Sequence, residues 1–213
     1  MNGTKYKVSE IFDSIEGEGK RAGELVTFIR LTGCNLRCSY CDTAYAFDGG
    51  EYMTIKEIKN RITYKKVTIT GGEPLSYHLI PLLDTLKGYE VNIETNGSFS
   101  ILPYINYRNV FFTVDFKCES SGMTPAMNYR NYDNLRSQDV LKFVVGTEND
   151  LKQAESMYIF HYKNLKDKLV YVSPVFGKIK PADIVEFIKR EQLPWRVQLQ
   201  LHKFIWDPQK RGV

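Results

Sequence analysis

The sequence predicts an α/β fold built on parallel strands, and three observations lead there. Short runs rich in Val, Ile, Phe and Thr alternate with segments of helical spacing, the pattern of a parallel sheet with crossover helices. Four consecutive runs each lead into a turn of polar or charged residues, and in parallel sheets and barrels ligands sit at the carboxyl ends of strands. The chain has 213 residues, short of the ~250 that a complete (β/α)8 barrel typically takes. Any barrel here is therefore abbreviated.

The elements follow in order. Residues 25–31 (LVTFIRL) lead into Thr32, Gly33 and Cys34, and 66–70 (KVTIT) into Gly71, Gly72, Glu73 and Pro74. Residues 89–93 (YEVNI) lead into Glu94, Thr95, Asn96 and Gly97, and 110–114 (VFFTV) into Asp115, Phe116 and Lys117. Further strands are expected at 140–145, 169–172 and 196–201. Thr54 can cap a helix over 55–61, with Glu57 at the capping-box position. A second helix is expected over 77–86, interrupted by Pro81. Asn149 or Asp150 can cap a third that runs to about residue 160, and Pro181 suits the start of a fourth over 182–190. No repeat, low-complexity tract or linker divides the chain, so residues 1–213 read as one domain.

Composition excludes several classes. Hydrophobic residues at 43% and charged residues at 25% are globular values, not those of a disordered chain. Lysine and arginine number 29 against 25 acidic residues, a balance of +4. That suits an anionic ligand without arguing for nucleic acid. No apolar run approaches the ~18 residues of a membrane helix. Residues 1–13 lack an apolar leader, so secretion is not indicated and a cytoplasmic location is expected.

The four cysteines, Cys34, Cys38, Cys41 and Cys118, do not form a disulfide framework of the small secreted kind. Three lie within eight residues as Cys-x3-Cys-x2-Cys. Three thiolates on one loop can hold three corners of an iron–sulfur cube and leave one iron open. The alternative is a zinc site with a fourth ligand from Cys118, His78, His161 or His202. Cys118 otherwise reads as a small buried hydrophobe.

Together, Cys34-x3-Cys38-x2-Cys41, with Tyr40 before the last cysteine, and Gly71-Gly72-Glu73-Pro74 resemble the radical S-adenosylmethionine (SAM) superfamily. Glu10-Ile11-Phe12-x2-Ile15-Glu16-Gly17-Glu18-Gly19, Cys41-Asp42-Thr43, Leu201-His202-Lys203-x2-Trp206 and the ending Arg211-Gly212-Val213 narrow this. They resemble the 7-carboxy-7-deazaguanine synthases of queuosine and 7-deazapurine biosynthesis. The resemblance implies an abbreviated, TIM-like partial barrel of the radical SAM type, with parallel strands, few helices, a substrate-binding amino-terminal segment and a carboxyl-terminal tail. It implies a carbon–nitrogen lyase that turns 6-carboxy-5,6,7,8-tetrahydropterin into 7-carboxy-7-deazaguanine and ammonia. Hydrogen abstraction at C6 by a 5′-deoxyadenosyl radical and a ring-contracting rearrangement are the implied chemistry. Its cofactors are a [4Fe–4S] cluster, SAM and Mg2+. The implied partners are the pterin, an electron donor such as flavodoxin or ferredoxin, and a second copy of the chain, with no nucleic acid and no membrane.

The same resemblance distributes the roles. Cys34, Cys38 and Cys41 hold the cluster and Thr43 contacts Mg2+. Tyr40, Asp42, Gly71, Gly72, Glu73, Gly97, Asp115, Phe116 and Lys117 lie against SAM. The family's triplet at the last three often reads Ser-Pro-Lys, which only Lys117 matches. Ile15, Glu16, Gly17, Arg30, Thr95, His202 and the terminal carboxylate of Val213 face the substrate. Many members carry Gln in place of Glu16. On chemical grounds, Glu16 or Glu18 can accept the pterin amino group and ring N–H side by side, and Arg30 can fork onto a carboxylate or carbonyl. Two other readings stand beside this one: an activase that installs a glycyl radical on a partner protein, and a zinc-stabilised binding module.

Overall fold

A computed structural model describes residues 3–213; Met1 and Asn2, where the stretch read for a leader begins, lie outside them. Nine strands form one sheet: β1 (Lys5–Ile15), β2 (Leu25–Leu31), β3 (Glu51–Thr54), β4 (Lys66–Gly71), β5 (Glu90–Thr95), β6 (Val110–Lys117), β7 (Val140–Val145), β8 (Leu169–Pro174) and β9 (Arg196–Val197). Their order is β3-β1-β2-β4-β5-β6-β7-β8-β9. From β2 to β9 every neighbouring pair is parallel. β1 runs antiparallel to both β2 and β3. The sheet is open, with β3 and β9 at its edges, which makes the predicted barrel a partial one.

The helices are short: α1 (Ile55–Asn60), α2 (Ile80–Thr85), α3 (Arg130–Asp133), α4 (Glu148–Phe160), α5 (Tyr162–Leu165), α6 (Pro181–Arg190) and α7 (His202–Ile205). Between β5 and β6 a single 3-10 turn, Leu102–Tyr104, stands where a full barrel has a helix. Thr54 caps α1 in a capping box with Glu57, as expected. α4 is capped one turn earlier than expected, by Thr147. Asp150 is the third helical residue, and its carboxylate reaches back to the cap. α2 starts at Ile80, not Tyr77, because Pro81 has no N–H to donate and fits only the first helical turn.

Two strands went unread in the sequence. β1 is the longest at eleven residues, but only Tyr6, Val8 and Ser14 along it are buried. Its mixed pattern gives no clean alternation, and pairing with β2 supplies what its sequence does not. β3 has four residues and exists as β1's outer neighbour. The expected strand over 196–201 stops at Val197; Gln198 still donates its N–H to Val172 at 2.9 Å, while its side chain clasps Gly19 through both amide atoms, at 2.6 and 2.9 Å.

Side chains alternate across the sheet, and the two faces differ in kind. Toward the helices point Ile29, Leu31, Val67, Ile69, Val91, Ile93, Phe112, Val114, Phe116, Leu141, Phe143 and Val172, all in the core. Burying each such side chain contributes about 1.5–3 kcal/mol. The other face carries Arg30, Thr68, Thr70, Asn92, Glu94, Thr113, Asp115, Lys117, Lys142 and Ser173 at the intervening positions. Its groups bond one another: Thr113 to Asn92 at 3.2 Å, Thr70 to Glu94 at 2.9 Å and Lys117 to Asp115 at 2.6 Å. A polar inner face closed by loops is a binding site in the making.

Candidate active site

The cysteine loop leaves β2 through Gly33, whose φ of +96° favours glycine and whose N–H closes the loop on Ala46 at 2.8 Å. Arg37 folds onto the carbonyls of Cys34 and Leu36, both at 2.7 Å. Ser39 ties the loop's far side to Ser121 and Ser120. Tyr40 spans to the end of β7, donating to the Val144 carbonyl at 3.3 Å. Cys34, Cys38 and Cys41 are free and half-buried, whereas Cys118 is fully buried with its thiol on the Asp150 carbonyl at 3.6 Å. Burial pushes the Cys38 and Cys41 thiols up, with Lys117 working against it.

Among the described residues no three His, Cys, Asp or Glu side chains converge on the position of one ion. His161 is committed to Asp133 at 2.7 Å and Cys118 points into the core, so neither serves as a fourth ligand. A tetrahedral zinc site takes four such ligands around one point. Three soft sulfurs spread along a loop can instead each take a separate iron of a cube, so the donor set fits the cluster.

The Gly-Gly-Glu-Pro turn is packed onto this loop. A Cβ on Gly72 would lie 2.0 Å from the Gly33 carbonyl oxygen and 2.9 Å from the Cys34 nitrogen, and one on Gly71 would lie 2.1 Å from the Leu31 oxygen. The glycines thus let the β4 turn press on the backbone that launches the cysteines. Their immediate task is this protein-to-protein approach, not only the approach to a ligand that the sequence invited. Glu73 is fully buried and accepts from Leu75 N–H at 2.9 Å, the Thr95 hydroxyl at 2.7 Å and Asn96 N–H at 2.6 Å. Burial raises its pKa to about 7 against those three donors. Gly97, at φ +82°, presses on the Asp115 carbonyl, which a Cβ would approach to 2.3 Å. The three turns are therefore one continuous rim.

Below the rim the inner face is charged. Lys142 lies between Asp115 at 3.2 Å and Glu18 at 2.8 Å, while Asp115 also holds Lys117. Burial lowers the Lys142 pKa, yet Asp115 and Glu18 outweigh it and keep the ammonium charged. Asp115 is held below the usual carboxylate range because Lys117 and Lys142 outweigh its burial. Glu94 shares this space and is raised to about 7 by burial, with Lys142 opposing and Glu16 and Glu18 adding.

The segment after β1 and the tail close the face. Gly17 is needed because a Cβ there would lie 2.2 Å from the His202 ring, and its carbonyl accepts from Leu201 N–H at 2.8 Å. Burial lowers the His202 pKa, with Glu18 opposing. Lys203 reaches Asp42 at 3.0 Å, and Thr43 donates to the same carboxylate at 2.9 Å. Burial raises the Asp42 pKa, but Lys203 and these hydrogen bonds outweigh it and hold it low. Arg30 pairs with Glu10 at 2.7 Å, and Tyr45 donates to the same oxygen at 2.9 Å. The Arg211 guanidinium lies 4.0 Å from the centre of the Tyr45 ring, and Val213 two residues on is half-buried.

The structure therefore gathers Cys34, Cys38, Tyr40, Cys41, Gly71, Gly72, Gly97, Asp115 and Lys117 at the strand ends, and Gly17, Asp42, Thr43 and His202 where the tail meets the cysteine loop, with Arg30 on the inner face of β2; among the described residues no contact ties Val213 to them. It corrects four side-chain expectations. The Glu16 carboxylate is saturated by Arg21 through two nitrogens, both at 3.0 Å, by Asn92 at 3.0 Å and by Thr68. A carboxylate offers about four acceptor sites, so Glu16 braces the loop and Glu18 faces the interior. The Thr95 hydroxyl donates to the Glu73 carboxylate at 2.7 Å, so that these two side chains are first engaged with each other. The Phe116 ring packs among Tyr129, Tyr132 and Phe143 at 5.8–6.0 Å, so it can offer only backbone. Ile15 ends β1 opposite Leu25. Sequence reading missed Glu94 and Lys142. For Lys142 the signal was a lysine inside the otherwise apolar run VLKFVV; Glu94 gave none, because Glu90 and Asn92 already make its own strand polar at every other position.

Comparison with known proteins accords with this geometry. The model of the Radical SAM superfamily matches residues 28–190, the body of the sheet without β1 or the tail. A 7-carboxy-7-deazaguanine synthase of Clostridium acetobutylicum is 44% identical over 98% of this chain and 99% of its own. One of Methanospirillum hungatei is 41% identical over 95% of this chain and 86% of its own. The crystal structure of QueE from Escherichia coli shares the fold with a TM-score of 0.73, covering 92% of this chain and 94% of that chain at 23% identity. With relatives of this identity matched over nearly the whole chain, the chain belongs to the radical SAM superfamily and, within it, to the 7-carboxy-7-deazaguanine synthases.

Proposed function

We propose that the chain is a radical SAM carbon–nitrogen lyase that converts 6-carboxy-5,6,7,8-tetrahydropterin to 7-carboxy-7-deazaguanine with loss of ammonia, in queuosine biosynthesis. The observation that carries this reading is the near-full-length likeness to synthases of that name. We read residues 1–213 as one radical SAM domain. Cys34, Cys38 and Cys41 hold a [4Fe–4S] cluster, and the rim of Gly71, Gly72 and Gly97 with Tyr40, Asp115 and Lys117 receives SAM. When bound, these two supply the radical that abstracts a substrate hydrogen.

The chain's own residues orient and enclose. Glu18 offers the carboxylate that can accept an amino group and ring N–H together. Arg30, fixed by Glu10, can fork onto a carboxylate or carbonyl. His202 is neutral at pH 7, because its pKa is lowered from 6.5, so one ring nitrogen donates and the other accepts. Thr43 gives its proton to Asp42, which leaves its oxygen lone pairs free. With a substrate carboxylate it can hold Mg2+, a hard cation that prefers oxygen, as a template and Lewis acid. The tail, pinned at Gly17, Gly19 and Asp42, excludes water from the interior.

Among the described residues no helix is long and apolar enough to cross a membrane; a cytoplasmic location belongs to the same proposal. A flavodoxin or ferredoxin is the class of electron donor it needs. The exposed Ile159, Phe160 and Tyr162 at the end of α4 favour a homodimer. The test is an anaerobic incubation of reconstituted protein with the pterin, SAM, Mg2+ and a chemical reductant, following product by mass. Product without a second protein supports the lyase and excludes the activase. A colourless reconstituted sample lacking sulfide overturns the reading.

A further inference from the structure

Asn96 lies in the turn after β5, is 7% exposed, and has no part in the roles above. Its amide orientation is set by its neighbours. Ser98 N–H donates to Oδ1 at 2.9 Å and the Ser98 hydroxyl donates to the same oxygen at 2.6 Å. A backbone N–H can only donate, so the atom facing it must be the carbonyl oxygen. The NH2 group is thereby aimed the other way. One hydrogen goes to Asn35 Oδ1 at 3.1 Å and the other to Cys34 Sγ at 3.7 Å. Leu36 N–H meets the same sulfur at 3.4 Å. Among the described residues, neither Cys38 nor Cys41 receives a side-chain donor.

We infer that Asn96 is a positioning residue that donates to the Cys34 sulfur and raises the reduction potential of the cluster. The inference rests on the cluster reading above. An N–H aimed at a cluster sulfur favours the state with more negative charge. When one electron passes from an external donor, which is oxidised, the reduced state gains most from that hydrogen bond. Ser98 contributes by holding the amide in its donating orientation. The placement on Cys34 follows from the fold. Glu73 binds Asn96 N–H at 2.6 Å, so the same buried carboxylate that joins the β4 and β5 turns sets the height of this side chain against the loop.

The experiment compares the parent with Asn96→Ala and Ser98→Ala. Each is reconstituted anaerobically, assayed for iron and sulfide per chain, and titrated with dithionite while the reduced cluster is followed by electron paramagnetic resonance. With full iron content, Asn96→Ala is expected to shift the midpoint to more negative potential. The expected size is about tenfold in the reduction equilibrium, or about 59 mV for one electron. Ser98→Ala should shift it the same way by less, since the Ser98 N–H remains. An unchanged midpoint in a fully loaded Asn96→Ala overturns the inference. If that variant fails to load, Ser98→Ala decides, and an unchanged midpoint at full iron overturns it equally. If the parent loads and neither variant does, Asn96 merely holds the loop and the inference fails. A parent that binds no cluster sinks the functional reading instead.

Discussion

The rim of the site and its interior are built on opposite principles. At the rim, around Cys34, Gly72, Glu73 and Asn96, backbone meets backbone, and the one buried carboxylate is spent on three donors of the protein itself. In the interior, Glu18, Asp115, Lys117 and Lys142 stand as charged side chains paired with each other, with Glu94 beside them. A rim of this kind holds a shape and tolerates no added atom. An interior of this kind holds charge that a polar ligand can share. The contrast explains why the sequence named the rim residues so densely while two of the interior ones, Glu94 and Lys142, went unnoticed. Glycines and cysteines carry their meaning in local sequence, whereas a lysine in a strand acquires one only from what faces it.

Gly72→Ala should break the rim most severely. Its Cβ would meet the Gly33 oxygen at 2.0 Å, and both are backbone, so the cysteine loop must move. We expect near-complete loss of iron and sulfide on reconstitution, with product formation abolished.

Lys142→Met tests the interior. It strands Glu18 and Asp115 without their shared cation, and breaking a buried pair from one side costs about 3 kcal/mol. Urea unfolding of the cluster-free protein should show this as a lower midpoint at unchanged slope. A loss below about 0.5 kcal/mol would mean that water, not Lys142, neutralises these carboxylates.

A milder probe uses pH. Glu94 is raised from 4.5 to about 7 in the fold. Below 4.5 both states hold the proton, and between 4.5 and 7 the unfolded chain ionises first, so stability falls as pH rises through that window. Glu94→Gln cannot titrate. Its stability relative to the parent should therefore grow across the window by up to about 3 kcal/mol and stay level above it. Equal pH slopes in parent and variant would show that Glu94 is ionised throughout.

Thr54→Ala lies outside both regions. It removes the α1 capping box and should cost about 1 kcal/mol, with iron content and product formation unchanged. An effect on either would show that the rim extends to α1.

Much of the fold was legible because parallel strands announce themselves as short β-branched runs ending in turns. The β2 and β7 boundaries, the Thr54 cap and the polar turns all came from residues adjacent in the chain. β1 was not legible, since eleven residues with half-exposed side chains on both faces look like a loop until β2 is placed beside them. The choice between Glu16 and Glu18 was open for the same reason. Two residues apart, they are chemically identical until Arg21, Thr68 and Asn92 are seen to consume the first.

What the sequence alone determined was the chemistry available: three thiols on one loop, glycines at the following turns, and a tail ending in Arg211-Gly212-Val213. What only the tertiary structure decided was which polar groups are already satisfied. Glu18 and Lys142 are 124 residues apart in the chain and in contact at 2.8 Å, and Asn96 and Cys34 are 62 apart. A ligand-forming residue type is a property of one side chain. Whether it is free to act depends on what lies within about 3 Å of it, and only folding sets that distance.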